Sequence, residues 1–452
     1  MPSPGLIKIS ADAWTDSESA YGGENRAGLK KTLTLRDATA INLGAIIGSG
    51  IFVVTGIAAG AAGPALIVSI LIAAGVSLLT ALSLTDLSRA TPKEGGIYAY
   101  SYRNISPYAG FLAGWMYIIG NILGGAAVAL GFSFYFHVLV PEIDFRVVVV
   151  GAVVFFTMIN YLGAKDSARI NNLIVLVKMM ILTFFIIFGA LFLKAENLTP
   201  FQPLQGGVLL GAYYIFFAFG GFARITNLSE EVDDPQRTIP KAILLSLAIS
   251  TVFYMLVGIV AIGMVGSSGL ASSNSPLEYA MGSSNNGTAV TLVVIGGLMA
   301  TASVMLTSIL GVSRIEYSMA RRRAFPLIFT RLNESSGIPY VAVIATGVAV
   351  MALALTGDLV SVISISTFAQ LFYYALTNVS ASRMRKEDRR FPYFVPVLGA
   401  FACLAMLGLV LLVSPWAWLG GLLCLAVGSV LYLARKMSEK RESNKAGPSP
   451  HP

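Results

Sequence analysis

The chain has 452 residues, of which 56% are hydrophobic and 12% charged, about half the charged share of an ordinary soluble domain. That balance excludes a water-soluble fold, which could not cover so much apolar surface. The formal charge of +8 does not indicate nucleic acid, because the basic residues sit between apolar runs and are not gathered into one patch or stripe.

Residues 1–36 mix charges with Gly22 and Gly23 and have no apolar core of signal-peptide type. They read as a flexible cytoplasmic arm. Cutting the rest at charge islands and Pro/Gly punctuation leaves twelve apolar segments near the roughly 20 residues that a membrane-spanning helix needs. In chain order they are 38–60, 64–88, 107–138, 146–163, 170–193, 207–229, 241–265, 288–313, 339–356, 358–381, 393–413 and 415–434. A tail at 435–452 reads as cytoplasmic. Cys403 and Cys424 fall inside apolar runs, and the two histidines, His137 and His451, lie far apart. Neither a disulfide framework nor a metal site is expected.

The distribution of Lys and Arg tests this segmentation. With both termini inside, only Arg146 and Lys194 fall outside and Lys178 and Arg224 within segments, so 27 of the 31 basic residues are cytoplasmic. A missed helix would scramble that asymmetry downstream.

Two segments are interrupted in a matching way. The first contains Gly44-Ala-Ile-Ile-Gly48-Ser49-Gly50-Ile51-Phe52, and the sixth contains Phe217-Ala-Phe219-Gly220-Gly221-Phe222. Five segments separate the breaks, so an odd number of crossings inverts the second half of a five-plus-five repeat. Broken helices at corresponding positions of inverted halves point to a transporter's binding site. At the first break, Gly48, Ser49 and Gly50 expose amide donors suited to a carboxylate. Carbonyls near Ile46, Phe217 and Gly220 are available to an ammonium group. The alternative reading is close helix packing, since glycine is common at contacts between membrane helices. No Gly-Lys-Ser/Thr follows, which excludes a phosphate-binding loop.

Four motifs in register carry a resemblance. They are Gly48 to Phe52, Pro-Lys-Glu-Gly-Gly-Ile-Tyr-Ala-Tyr from Pro92 to Tyr100, Glu230-Glu231-Val-Asp-Asp-Pro-Gln-Arg-Thr-Ile-Pro240, and Ser313-Arg314 with Met319-Ala320-Arg321. From about Thr34 to Pro396 the sequence resembles the amino acid-polyamine-organocation transporter superfamily. The resemblance implies an all-α integral membrane fold of twelve transmembrane helices. A first five-helix repeat would occupy 37–193, an inverted second repeat 207–382, and two accessory helices 393–434. It also implies alternating-access transport of amino acids or related amines.

Carried over residue by residue, the resemblance puts substrate-carboxylate contacts on the Ser49 and Gly50 amides and makes Phe217 an aromatic lid. Gly220 offers a carbonyl to the amino group. Asn121 matches a position that lines the side-chain pocket in some relatives, and interhelical hydrogen bonding is its other reading. Ala223 stands where many members carry an acidic residue, which implies a neutral or apolar substrate in place of a cationic one. Arg321-Arg322-Arg323 replaces the usual Arg-Asp-Gly and reads as a cytoplasmic anchor.

Two cations within segments complete the candidate set. Lys178 lies about eight residues, roughly 12 Å, into the fifth segment. A charge at that depth is costly and faces a cavity or a partner. In some relatives a fifth-helix lysine occupies the place of a coupling cation, so Lys178 reads either as a proton carrier or as a fixed tether between helices one and eight. Arg224 cannot deprotonate and needs a partner. An inner-gate ion pair with Glu230, Glu231 or Asp86 is one reading, and contact with an acidic substrate is the other. Together these expectations describe a secondary transporter in the cell membrane that takes up a neutral amino acid with a proton, without cofactor, metal or enzyme activity. An exchanger of amino acids or amines, or a non-transporting sensor, are the alternatives.

Overall fold

The structure is a computed structural model that describes residues 33–91, 96–162, 164–333, 337–413 and 415–445. Residues 1–32 of the expected arm, the start of the Pro92 to Tyr100 motif and the last residues of the tail lie outside the described residues. Among the described residues every element is helical, and one isolated backbone bridge joins Leu33 to Val232.

The first segment is not one helix. Helix α1 (Leu35–Ile46) starts at a reciprocal cap, in which Asp37 N donates to Thr34 Oγ1 (3.4 Å) and the Asp37 carboxylate accepts from Thr34 N (3.0 Å). It stops at Ile47, whose ψ of 88° is not helical. A π-helical turn, Gly50–Val54, leads into α2 (Thr55–Ala62). At Gly63, where φ is 61° and a side chain would be strained, the chain turns into α3 (Leu66–Ala90).

A short helix, α4 (Gly96–Asn104), precedes α5 (Pro107–Leu139), which opens on Ser106 as cap with Pro107 as first residue. Then follow α6 (Phe145–Leu162), α7 (Ala164–Gly189) and α8 (Gly206–Phe219). Helix α8 ends at the second glycine pair, and residues Arg224–Glu231 form a 3-10 stretch that is non-helical at Leu228. The chain continues with α9 (Pro235–Ala271), α10 (Pro276–Gly282), α11 (Gly287–Arg321), α12 (Tyr340–Thr356), α13 (Leu359–Ser382), α14 (Phe394–Val413) and α15 (Pro415–Lys445).

Among the described residues ten stretches are long and apolar enough to cross a membrane. The first, Leu35–Ala90, holds two of the apolar segments folded at Gly63, and α12 is a shorter apolar helix. Several helices outrun their segments. Helix α5, with 33 residues, is about 50 Å long against a hydrocarbon core of about 30 Å.

Burial orders the helices around the two breaks. Helix α8 lies in the most buried of these apolar stretches and α15 in the least buried; α8 therefore belongs to the centre and α15 to the rim. Helices α1, α2 and α3 pack against α8 or α9, while α5 packs against α11 and α13. The outer faces carry Leu173, Ile187, Phe401 and Leu423, each at least 64% exposed. Bare apolar faces of that extent suit acyl chains and not water. This is a multi-pass membrane protein.

Candidate functional site

The two breaks meet at the centre of the bundle. A small cavity of about 30 Å3 lies between them, lined by residues including Ile46, Ser49, Gly50, Asn121, Phe217, Gly220 and Arg224. Those residues come from three segments that the sequence singled out separately. The volume is that of one or a few waters, so a larger solute needs the walls to move.

The glycines serve close approach as much as exposure of the backbone. A Cβ on Gly50 would lie 2.5 Å from the Ala218 Cα, and one on Gly48 would lie 3.2 Å from the Ala300 carbonyl oxygen. Gly48 faces α11 and does not line the cavity; nor does Ala223, which is buried beside it. The carbonyls at the breaks already hold one partner each. Tyr254 on α9 donates its hydroxyl to Ile46 O (2.6 Å), with Ala218 O also 3.0 Å away, and Tyr374 on α13 donates to Gly220 O (2.8 Å). A carbonyl has two lone pairs, so each can still accept from a substrate. Phe217 lies against α5, where a Cβ on Gly124 would come 3.6 Å from its ring.

Of the inner-gate partners expected for Arg224, Glu231 and Asp86 bond elsewhere, and the side chain of Glu230 lies outside the described residues. Glu231 pairs with Arg314 (3.1 Å), and Asp86 accepts from the backbone amides of Arg390 and Phe391 (both 3.2 Å). The guanidinium instead turns into the site, donating to Asn121 Oδ1 (2.7 Å) and Thr307 Oγ1 (3.0 Å). Asn121 therefore does both things expected of it: it lines the cavity and joins helices. The cause is local: the chain leaves α8 at Gly220, and the 3-10 geometry directs residue 224 at α5 and α11.

Lys178 lies outside the cavity, fully buried behind the first break. Its ammonium donates to the carbonyls of Leu43 (3.4 Å), Gly44 (3.2 Å) and Ile47, and to Ser303 Oγ (3.1 Å). These carbonyls end α1, where the helix dipole is negative. One side chain on α7 thus joins α1 to α11.

The model of the amino acid permease family matches residues 33–432. The chain belongs to that family. It is a transporter of the amino acid-polyamine-organocation superfamily and not an enzyme. An uncharacterized transporter of Mycobacterium tuberculosis is 35% identical over 422 residues, covering 91% of this permease and 93% of the relative. The methylthioribose transporter of Bacillus subtilis is 31% identical over 89% and 93% of the two chains. The branched-chain amino acid permease BcaP of the same organism is 30% identical over 94% and 97%.

The two ends of the permease differ. Towards one end a second cavity of about 470 Å3 is lined by residues including Val53, Leu130 and Asp358, none of which lines the first. At the other end Glu231 pairs with Arg314, and Leu33 N–H donates to Glu231 O (3.0 Å) while the Leu33 carbonyl accepts from Asp233 N (2.9 Å). Sequence reasoning missed Gln370 and Ser308 in the cavity wall and the two tyrosines behind it. Each is a polar residue in an apolar helix, and that was the available signal.

Proposed function

We propose that this permease is a secondary active transporter that takes up an amino acid with a non-cationic side chain by alternating access, coupled to protons. The observation that carries this reading is the meeting of two helix breaks around a small polar cavity, with a larger cavity towards one end and the Glu231–Arg314 pair towards the other. In this reading residues 37–193 and 207–382 are inverted five-helix halves of a twelve-helix protein, and 393–434 are accessory helices. Both termini face the cytoplasm of a cell whose plasma membrane holds the protein, so the larger cavity lies on the outer side.

The zwitterion would place its carboxylate at the amides of Ser49 and Gly50 and its ammonium at the carbonyls of Ile46, Phe217 and Gly220, with Phe217 closing over it. Cationic side chains are disfavoured by charge. Bringing a second cation to about 4 Å from Arg224 costs roughly 4 kcal/mol at an effective dielectric of about 20. Neutral and anionic side chains meet no such barrier.

Lys178 supplies the coupling in this reading. Its ammonium holds together the end of α1 and Ser303 of α11, and loss of its proton would release both. A second reading follows from the same bonds: four acceptors around one ammonium also suit a permanent tether, as an exchanger needs. Uptake of radiolabelled amino acids into proteoliposomes under imposed proton and sodium gradients separates the two. Proton symport predicts accumulation driven by an inward proton gradient, without sodium. Lys178→Ala and Lys178→Arg should both lose that accumulation while binding falls less. Full gradient-driven accumulation by Lys178→Arg, which keeps the charge but cannot cycle a proton, would leave Lys178 as a tether.

A further inference from the structure

A permanently charged guanidinium in a buried cavity calls for an anion. Arg224 is 6% exposed, and both of its bonded nitrogens donate to neutral groups, Asn121 Oδ1 and Thr307 Oγ1. Its Nε has no hydrogen-bond partner. Among the described side chains no carboxylate pairs with it: Glu231 bonds Arg314, Asp86 accepts from backbone amides and Glu316 accepts from the Thr346 hydroxyl, while the side chain of Glu230 lies outside the described residues. Lys178, the second buried cation of this region, likewise has only neutral partners. Buried charges are ordinarily paired, and among the described side chains no acid meets the Arg224 guanidinium.

The position of Arg224 says which part of a substrate would supply it. The guanidinium is held by α5 and α11 through Asn121 and Thr307, whereas Tyr254 of α9 bonds the Ile46 end of the first break. Gln370 of α13 adds an unpartnered acceptor, Oε1, beside Gly220. With the backbone groups of the breaks holding the α-carboxylate and the ammonium, Arg224 and Asn121 meet the side chain.

We infer that Arg224 is a specificity-determining residue that pairs with a side-chain carboxylate, so that the substrate class is the dicarboxylic amino acids. This rests on the transport reading above and narrows it. The pairing brings the guanidinium a carboxylate that arrives with the substrate, and the guanidinium fork holds it in a bidentate fashion. A neutral isostere such as glutamine would leave the charge unpaired, and arginine would add to it.

The test uses the full-length permease purified in detergent and reconstituted in proteoliposomes. The readouts are ligand-induced shifts in Tm and competition for uptake, with L-glutamate, L-aspartate, L-glutamine, L-leucine and L-arginine as probes. The wild type should show half-saturation by glutamate or aspartate at a concentration at least tenfold below that for glutamine, with no response to arginine. Arg224→Gln should erase that preference and keep glutamine binding, and Arg224→Lys should retain part of it. Wild-type binding of glutamine or leucine as tight as that of both acids overturns the inference and leaves amino acid transport standing. So does an Arg224→Gln protein that loses glutamate, glutamine and leucine alike, because the arginine would then hold the group that all amino acids share. A wild type that responds to none of the five removes this inference and the transport reading together. Should Arg224→Gln fail to fold, the selectivity of the wild type alone decides.

Discussion

At the scale of single residues, the centre of the permease is organised by groups that hold the backbone where helices stop. Helix ends leave carbonyls without intrahelical partners, and in the bilayer no water is at hand to satisfy them. Tyr254 answers that need at both breaks at once, with its hydroxyl 2.6 Å from Ile46 O and 3.0 Å from Ala218 O. Tyr254→Phe keeps the ring and removes the hydroxyl. It should lower stability by about 1–3 kcal/mol, the cost of leaving a buried acceptor unsatisfied, and slow uptake by loosening the cavity wall. An unchanged Tm in detergent, with wild-type uptake, would show that the bridge carries no weight. The glycine clusters were legible in the sequence because glycine runs interrupt an otherwise apolar pattern. Tyr254, Tyr374 and Gln370 were not, since a polar residue within an apolar helix reveals its partner only once the helices are packed.

At the scale of elements, the two interrupted helices touch through their backbones, and this contact decides what Gly50 is for. A Cβ there would come 2.5 Å from Ala218 Cα, and no rotamer change relieves a clash with backbone. Gly50→Val should therefore push α8 away from the π-helical turn, costing about 1–3 kcal/mol as overpacking does, and abolish substrate binding. Gly50→Ala should do both in part. A Gly50→Val protein with wild-type affinity and Tm would remove the contact, and with it the cradle at the first break, from the argument. Most of the helices were readable from apolar length alone. The short α4 was not, because its nine residues fall far short of a span. The bonds of Arg224 to Asn121 and Thr307 were not readable either, because they depend on the 3-10 stretch and the irregular Leu228 that follow α8.

At the scale of the whole molecule, charge and shape make the same demand on orientation. With both termini inside, the bonded group of Glu231, Arg314 and Leu33 lies on the cytoplasmic side and the larger cavity near Asp358 on the outer side. Helix α15 carries its basic residues, Arg435, Lys436 and onward, past its apolar stretch, where positive charge favours retention in the cytoplasm. A single cysteine reports this directly. In a background with Cys403→Ala and Cys424→Ala, Ser438→Cys should resist a membrane-impermeant maleimide in intact cells and react after permeabilisation. Asp358→Cys, in the wall of the larger cavity, should react in intact cells, and an excess of transported substrate should alter its rate if the outer side closes during the cycle. Labelling of Ser438→Cys from outside would invert the assignment. The larger cavity would then face the cytoplasm and the Glu231–Arg314 pair the exterior, and the direction of substrate movement inferred from the two ends would reverse with them.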